Sequence, residues 1–175
     1  MAPINNDESV HSLIIRRMLL HGVLHKPKDL QGVISPSGVV YGLPTLNKKQ
    51  TECIRDIDTT QFASIIDNNA PYLGADLKVR TQIAKHVLEN NADRSYRDPA
   101  SRTQLRYCVE CAELQLRSLG YSYFKIDWLH SARCSVHKAA LAPCITVMAS
   151  LLWPSSEYLR QFDSIAHRIL RQMSK

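Results

Sequence analysis

No run of apolar residues in this chain is long enough to cross a bilayer. The longest, "APCITVMASLLWP" at residues 142–154, falls short of the roughly 20 residues that a membrane-spanning helix needs. The N-terminus, "MAPINNDES", lacks both the basic n-region and the apolar h-region of a secretory signal, so a cytoplasmic protein with no membrane partner is expected. Internal repeats and low-complexity tracts are absent too, which excludes solenoids and arrays. Signatures of catalysis are equally scarce. The chain shows no nucleophile elbow and no paired-carboxylate cluster, and "SPSGVVYG" lacks the Gly-Lys-Ser/Thr end of a phosphate loop. The seven histidines are scattered, and Gly22 interrupts the helical spacing between His21 and His25. The chain therefore reads as a non-enzyme.

What is present is a basic chain of ordinary apolar content. With 175 residues and 45% hydrophobic content it can build one medium domain or two small ones. A formal charge of +6 and a pI near 9.2 favour anionic partners, nucleic acid being the commonest; a merely solvated surface accounts for the same charge.

Helical signals dominate the pattern. Asp7, Glu8 and Ser9 read as a helix start, with acids at the positive end of the helix dipole. Val10, Leu13, Ile14 and Met18 recur at helical spacing, Gly22 follows as a stop, and Arg16 and Arg17 fall on the opposite face. A Gly- and Pro-rich stretch then reads as a loop with a short strand at "GVVYGL". Further helices are expected from Thr59–Thr60 onward and over about residues 75–90, and "NNADRSYRDPASR" reads as a linker. "AALAPCITVMASLLW" is expected to be a buried helix broken at Pro143. The last segment carries Leu159, Phe162, Ala166, Ile169 and Met173 on one helical face, suited to packing on the domain or on a partner helix. The expected architecture is mainly α, in three parts: a helical domain over 1–92, a small zinc-ribbon-like module over 93–150 and an amphipathic helix over 151–175.

The five cysteines hold the strongest chemical signal. Cys108 and Cys111 are two residues apart, Cys134 and His137 repeat that spacing, and 22 residues lie between the pairs. A two-residue spacer lets a tight turn aim two side chains at one point, so two such turns can supply four tetrahedral ligands to zinc. In a cytosolic protein paired cysteines favour metal or redox chemistry over structural disulfides. A thiol redox pair lacks a surrounding βαβ pattern here, and simple core packing is the bland alternative. The reading taken is one structural Zn2+ per chain held by Cys108, Cys111, Cys134 and His137, with no open position for water. Cys53 is expected to pack in a helix. Tyr107, Phe124 and Trp128 are expected to pack around the metal loop, since so small a module has little core; base stacking is the alternative.

At these residues the chain resembles a known family. "RYCVECAELQLRSLGYSYFKIDWLHSARCSVHKAAL" is similar to the zinc finger of the TniQ/TnsD proteins of Tn7-like transposition, with Gly120, Tyr121, Tyr123, Phe124 and Trp128 as its glycine-aromatic stretch. "DESVHSLIIRRMLLHG" resembles that family's opening helix, and "TTQFASIIDNNAPY" stands where the family has a short helix before its finger. The likeness covers about residues 4–148. Two departures stand out. Cys144 is placed to begin a second finger, but Val147 occupies its partner's position, so Cys144 reads as a buried remnant. The chain also ends at Lys175 after one more helical segment, which marks a short, single-finger member.

The resemblance implies an adaptor. Such a protein links a target-site selector, either target DNA or an RNA-guided (CRISPR-associated) effector complex, to the AAA+ transposition regulator. A homodimer through the terminal helix is also open. Candidate nucleic-acid or partner contacts are Arg16 and Arg17 on the first helix, Arg94, Arg97, Arg102 and Arg106 before the finger, and Lys125 and Arg133 within it. Two other functions fit the same features: a free-standing zinc-containing DNA-binding regulator, and a truncated inhibitor of transposition.

Overall fold

The computed structural model describes residues 4–40, 42–69, 77–89 and 102–144. The expected amphipathic helix over 151–175 and the linker arginines Arg94 and Arg97 lie outside them. Within the described residues the chain is mainly α, with a few two-residue strands.

Helix α1, Val10–Leu20, starts where the acidic-serine signal placed it: Ser9 is its N-cap, and the Ser9 side chain accepts from the Ser12 backbone N–H at 3.2 Å. The expectation of a basic outer face is corrected. Every residue from Val10 to Met18 is buried, Arg16 and Arg17 included. Both charges enter the interior because each finds a carboxylate. Arg16 forms a two-pronged pair with Glu8, through Nε at 3.1 Å and Nη2 at 2.6 Å, and its guanidinium lies 4.8 Å from the Tyr121 ring centre. Arg17 Nη1 donates to Asp56 at 3.2 Å.

The loop after α1 contains a 3-10 turn at Pro27–Leu30. Gly32 in this loop sits at φ +91°, and a Cβ there would come within 2.0 Å of the Thr45 carbonyl, so only glycine lets the two strands of loop close. The strand expected in "GVVYGL" is present as β1, Val39–Val40. Its partner is β2, Thr103–Gln104, antiparallel with Val39 opposite Gln104 and Val40 opposite Thr103. Helix α2, Lys48–Glu52, has no counterpart in the apolar periodicity. Its signal is the capping box, in which Asn47 and Gln50 each accept from the other's backbone N–H. Gln50 is buried and donates to the carbonyls of Asp29 and Gln31, tying α2 to the preceding turn. Helices α3, Thr59–Asn69, and α4, Leu77–Leu88, match the expected positions and pack on each other. Phe62, Ile65, Ile66, Ile83 and Ala84 join Leu13, Ile14 and Met18 of α1 in the main core.

The rest of the described chain is the cysteine region. Strand β3, Arg106–Tyr107, leads into helix α5, Val109–Leu119. A short helix α6 follows at Asp127–His130. Strand β4, Ala142–Pro143, returns antiparallel to β3, with Arg106 opposite Pro143 and Tyr107 opposite Ala142. The helix expected through this proline is therefore corrected up to Cys144. Pairing with β3 takes the backbone instead, and the Cys144 N–H continues the pairing by donating to the Leu105 carbonyl at 2.8 Å. Leu105, Leu129 and Cys144 belong to the main core, while Trp128, Leu141 and the cysteines of the two turns form a second, smaller one. Phe124 packs against both.

The first helix is bonded directly to the cysteine region. Ser9 N–H donates to the Phe124 carbonyl at 2.8 Å, Ile126 N–H to the Asp7 carbonyl at 2.8 Å, and Phe124 N–H to Ser12 Oγ at 2.9 Å. Asp7 adds Lys125 Nζ at 2.7 Å and Tyr123 Oη at 2.7 Å. Burial raises the Asp7 carboxyl, but these bonds outweigh it and hold the group below its ordinary value.

The Glu8–Arg16 pair makes a stability prediction. Glu8 is 1% exposed and also accepts from Ser12 Oγ, so Glu8→Ala leaves a desolvated guanidinium without its counter-charge. Denaturant unfolding is expected to show a loss of about 3–5 kcal/mol. A loss below about 1 kcal/mol would mean the pair is not buried in solution.

Candidate metal centre

Two local devices build the two turns. The first lies at the start of α5: Cys108 is its N-cap residue in extended conformation, and Cys111 sits one turn in, on the buried face with Gln115. The helix closes at Gly120, whose φ of +77° gives the left-handed cap and whose N–H returns to the Leu116 carbonyl. The second turn spans Cys134 to Lys138. Lys138 N–H donates to the Cys134 carbonyl at 3.0 Å, and Lys138 takes the left-handed region at φ +57° to reverse the chain. Leu141 N–H bonds the Ala132 carbonyl and Cys134 N–H the Ala139 carbonyl, so the turn is a closed hairpin tip. The His137 N–H points at Cys134 Sγ, 3.5 Å away.

The folded chain brings all four side chains to one point. Their ligand atoms lie within 4.8 Å of one another, the three cysteines are buried, and His137 is half-buried. Cys111 Sγ is 3.6 Å from Cys134 Sγ. His137 Nδ1 is 3.4 Å from Cys108 Sγ, 3.3 Å from Cys111 Sγ and 3.8 Å from Cys134 Sγ. A tetrahedral ion with metal–sulfur bonds of about 2.3 Å and metal–nitrogen bonds of about 2.0–2.1 Å requires edges of about 3.6–3.8 Å. The four edges just given match that figure to within a few tenths of an ångström, and the two from Cys108 Sγ to the other sulfurs are no longer than 4.8 Å. They exclude a disulfide between Cys111 and Cys134, whose sulfurs would be about 2.05 Å apart. Three soft sulfurs and one imidazole nitrogen at this spacing form one candidate metal site.

The electrostatics of the thiols differ sharply. Burial pushes Cys111 up to about 12, reinforced by the neighbouring sulfurs. Burial also works against ionisation of Cys134, but backbone N–H groups of His137 and Val136 favour its thiolate and bring it down to about 6. Within the cluster the proton is thus held more tightly by Cys111 than by Cys134.

Trp128 is fully buried beside the cysteines, with Tyr107 and Phe124 packed on the same cluster, as the aromatic pattern suggested. Cys53 caps the end of α2, buried, with its Sγ 3.2 Å from the Lys49 carbonyl. Cys144 is fully buried in the main core, apart from the four ligands. His130 is exposed and is not one of the clustered groups.

Among the described residues, the basic side chains singled out for binding are differently placed. Arg16 and Arg17 are inside, Lys125 is paired with Asp7, and Arg106 Nη1 donates to the Ser131 carbonyl at 3.1 Å. Arg102 and Arg133 are exposed. Sequence reasoning missed the acids that occupy these cations, because Glu8 and Asp7 were read only as helix-dipole partners. Among the described residues no helix is long and apolar enough to cross a membrane.

Comparisons of the chain with protein-family models, with curated proteins and with solved structures return no match. The likeness to TniQ/TnsD proteins rests on the quoted motifs alone.

Proton release tests the site. A metal needs thiolates, and burial strengthens the hold of Cys111 on its proton, whereas backbone N–H groups favour the thiolate of Cys134. Metal uptake at pH 7 is expected to release the Cys111 proton, and affinity is expected to fall as pH is lowered. Calorimetric titrations in buffers of different ionisation enthalpy read the release directly. A heat independent of buffer would contradict the assignment.

Proposed function

We propose that the cluster holds one zinc ion in a structural role, and that the module it organises is a docking surface. When bound, the ion supplies a four-way cross-link, and its affinity becomes part of the folding free energy. Four protein ligands occupy four tetrahedral positions, so water has no place on the ion, which argues for binding over hydrolytic chemistry. The single observation that carries this reading is the convergence of Cys108, Cys111, Cys134 and His137 at tetrahedral spacing.

The kind of partner follows from the surface. Arg16 and Arg17 are buried, and Lys125 and Arg106 each hold a partner within the protein, which makes these four less available to phosphates. Helix α5 instead exposes Val109, Leu114, Leu116 and Leu119, each 44–55% exposed. Exposed apolar side chains on a clamped helix favour a protein partner. With the motif resemblance, the best-supported role is a TniQ-like adaptor that joins a target-site selector to an AAA+ transposition regulator. The zinc-finger module over 93–150 and the helical domain over 1–92 are its two working parts in this reading.

Metal analysis of purified protein is expected to give one zinc per chain, and Cys108→Ser is expected to lose the metal and the folded signal of the cysteine region. Well under half an equivalent in the wild type would overturn the zinc assignment. For the role, purified AAA+ regulator encoded beside this chain is expected to bind the zinc-loaded protein and not the chelator-treated one. Specific, salt-sensitive DNA binding with no regulator binding would replace the adaptor with a DNA-binding regulator.

A further inference from the structure

His137 has two ring nitrogens, and only one of them faces the cysteines. Nδ1 lies 3.3–3.8 Å from the three sulfurs. Nε2, on the opposite side of the ring, lies 3.6 Å from Glu110 Oε2. That separation is slightly longer than a direct hydrogen bond, a gap that a small turn of the exposed Glu110 side chain closes. Glu110 sits between Cys108 and Cys111 in the first turn of α5, so the turn that offers two sulfurs also carries a carboxylate to the far side of the imidazole.

A neutral imidazole binds a metal through whichever nitrogen lacks its proton. A carboxylate beside the other nitrogen keeps the proton there, fixes the tautomer and the ring plane, and makes the ligating nitrogen a better donor. We propose that Glu110 is a positioning residue for the metal site: it holds the Nε2–H of His137 and thereby presents Nδ1 to the ion. This inference rests on the metal reading above. The Glu110 side chain is 61% exposed, so its removal is expected to leave the packing of the buried Trp128 and Leu141 intact. Glu113, one turn on, offers a matched control. It carries the same charge on the same helix and is directed to Arg117, 3.9 Å away.

Zinc affinity of the full chain is measured by competition with a chromogenic chelator, for the wild type, Glu110→Ala, Glu110→Gln and Glu113→Ala. Glu110→Ala is expected to bind zinc about 10–100-fold more weakly. Glu110→Gln, which keeps an acceptor oxygen, is expected to recover most of that loss, and Glu113→Ala to match the wild type. In zinc-loaded protein followed by nitrogen-15 NMR, the His137 Nε2 proton is expected to exchange with water faster in Glu110→Ala than in the wild type. Equal affinities for the wild type and Glu110→Ala would overturn the proposal and leave the metal site standing. An equal loss in Glu113→Ala would overturn it as well, by reducing the effect to general electrostatics. Failure of the wild type itself to bind zinc would instead overturn the reading on which the proposal rests.

Discussion

Three sulfurs and one imidazole nitrogen must meet at the corners of a tetrahedron, and the cysteine region is arranged around that demand. A cluster of buried thiols has little cohesion of its own. Burial disfavours the thiolates, and neighbouring sulfurs repel once charged, as the raised Cys111 shows. A cation reverses both terms at once. Among the described residues the apolar core of this region is small, with Trp128 and Leu141 as its buried non-cysteine members. The affinity of an ion bound there would become part of the folding free energy of the module.

The consequence reaches beyond the ligands. The segment between the two turns, Ala112 to Arg133, contains residues 121–126, and those residues receive the N-terminal end of α1. Tyr121 stacks on Arg16, Tyr123 and Lys125 bond Asp7, and the backbone of Phe124 meets Ser9 and Ser12. Arg16 in turn is neutralised by Glu8. The buried Arg16–Glu8 pair is therefore covered in part by the cysteine region, through Tyr121. An ion held by the two turns would bear on the first helix through residues 121–126.

Much of this was legible in the sequence, and the failures have physical causes. The Cys-x2-Cys and Cys-x2-His spacing located the cluster because a tight turn leaves little freedom in where its side chains point. The starts of α1 and α3 were legible because caps and apolar spacing act locally. Helix α2 escaped because its stability comes from Asn47 and Gln50, not from an apolar stripe. Residues 142–143 were misjudged because apolar composition does not distinguish a buried helix from a strand, and pairing with Arg106–Tyr107 is a long-range choice. Arg16 and Arg17 were misjudged because the partner acids act through the folded arrangement. Glu8 is eight residues away in sequence from Arg16, and Asp56 is 39 from Arg17.

Hydrogen exchange, compared between metal-loaded and chelator-treated full-length protein, tests this coupling most directly. The account requires faster exchange on metal removal at residues 108–137 and also at residues 7–12, where the Ser9 amide donates to the Phe124 carbonyl. Unchanged protection in both segments would show that no ion clamps the cysteine turns and that the first helix owes nothing to them.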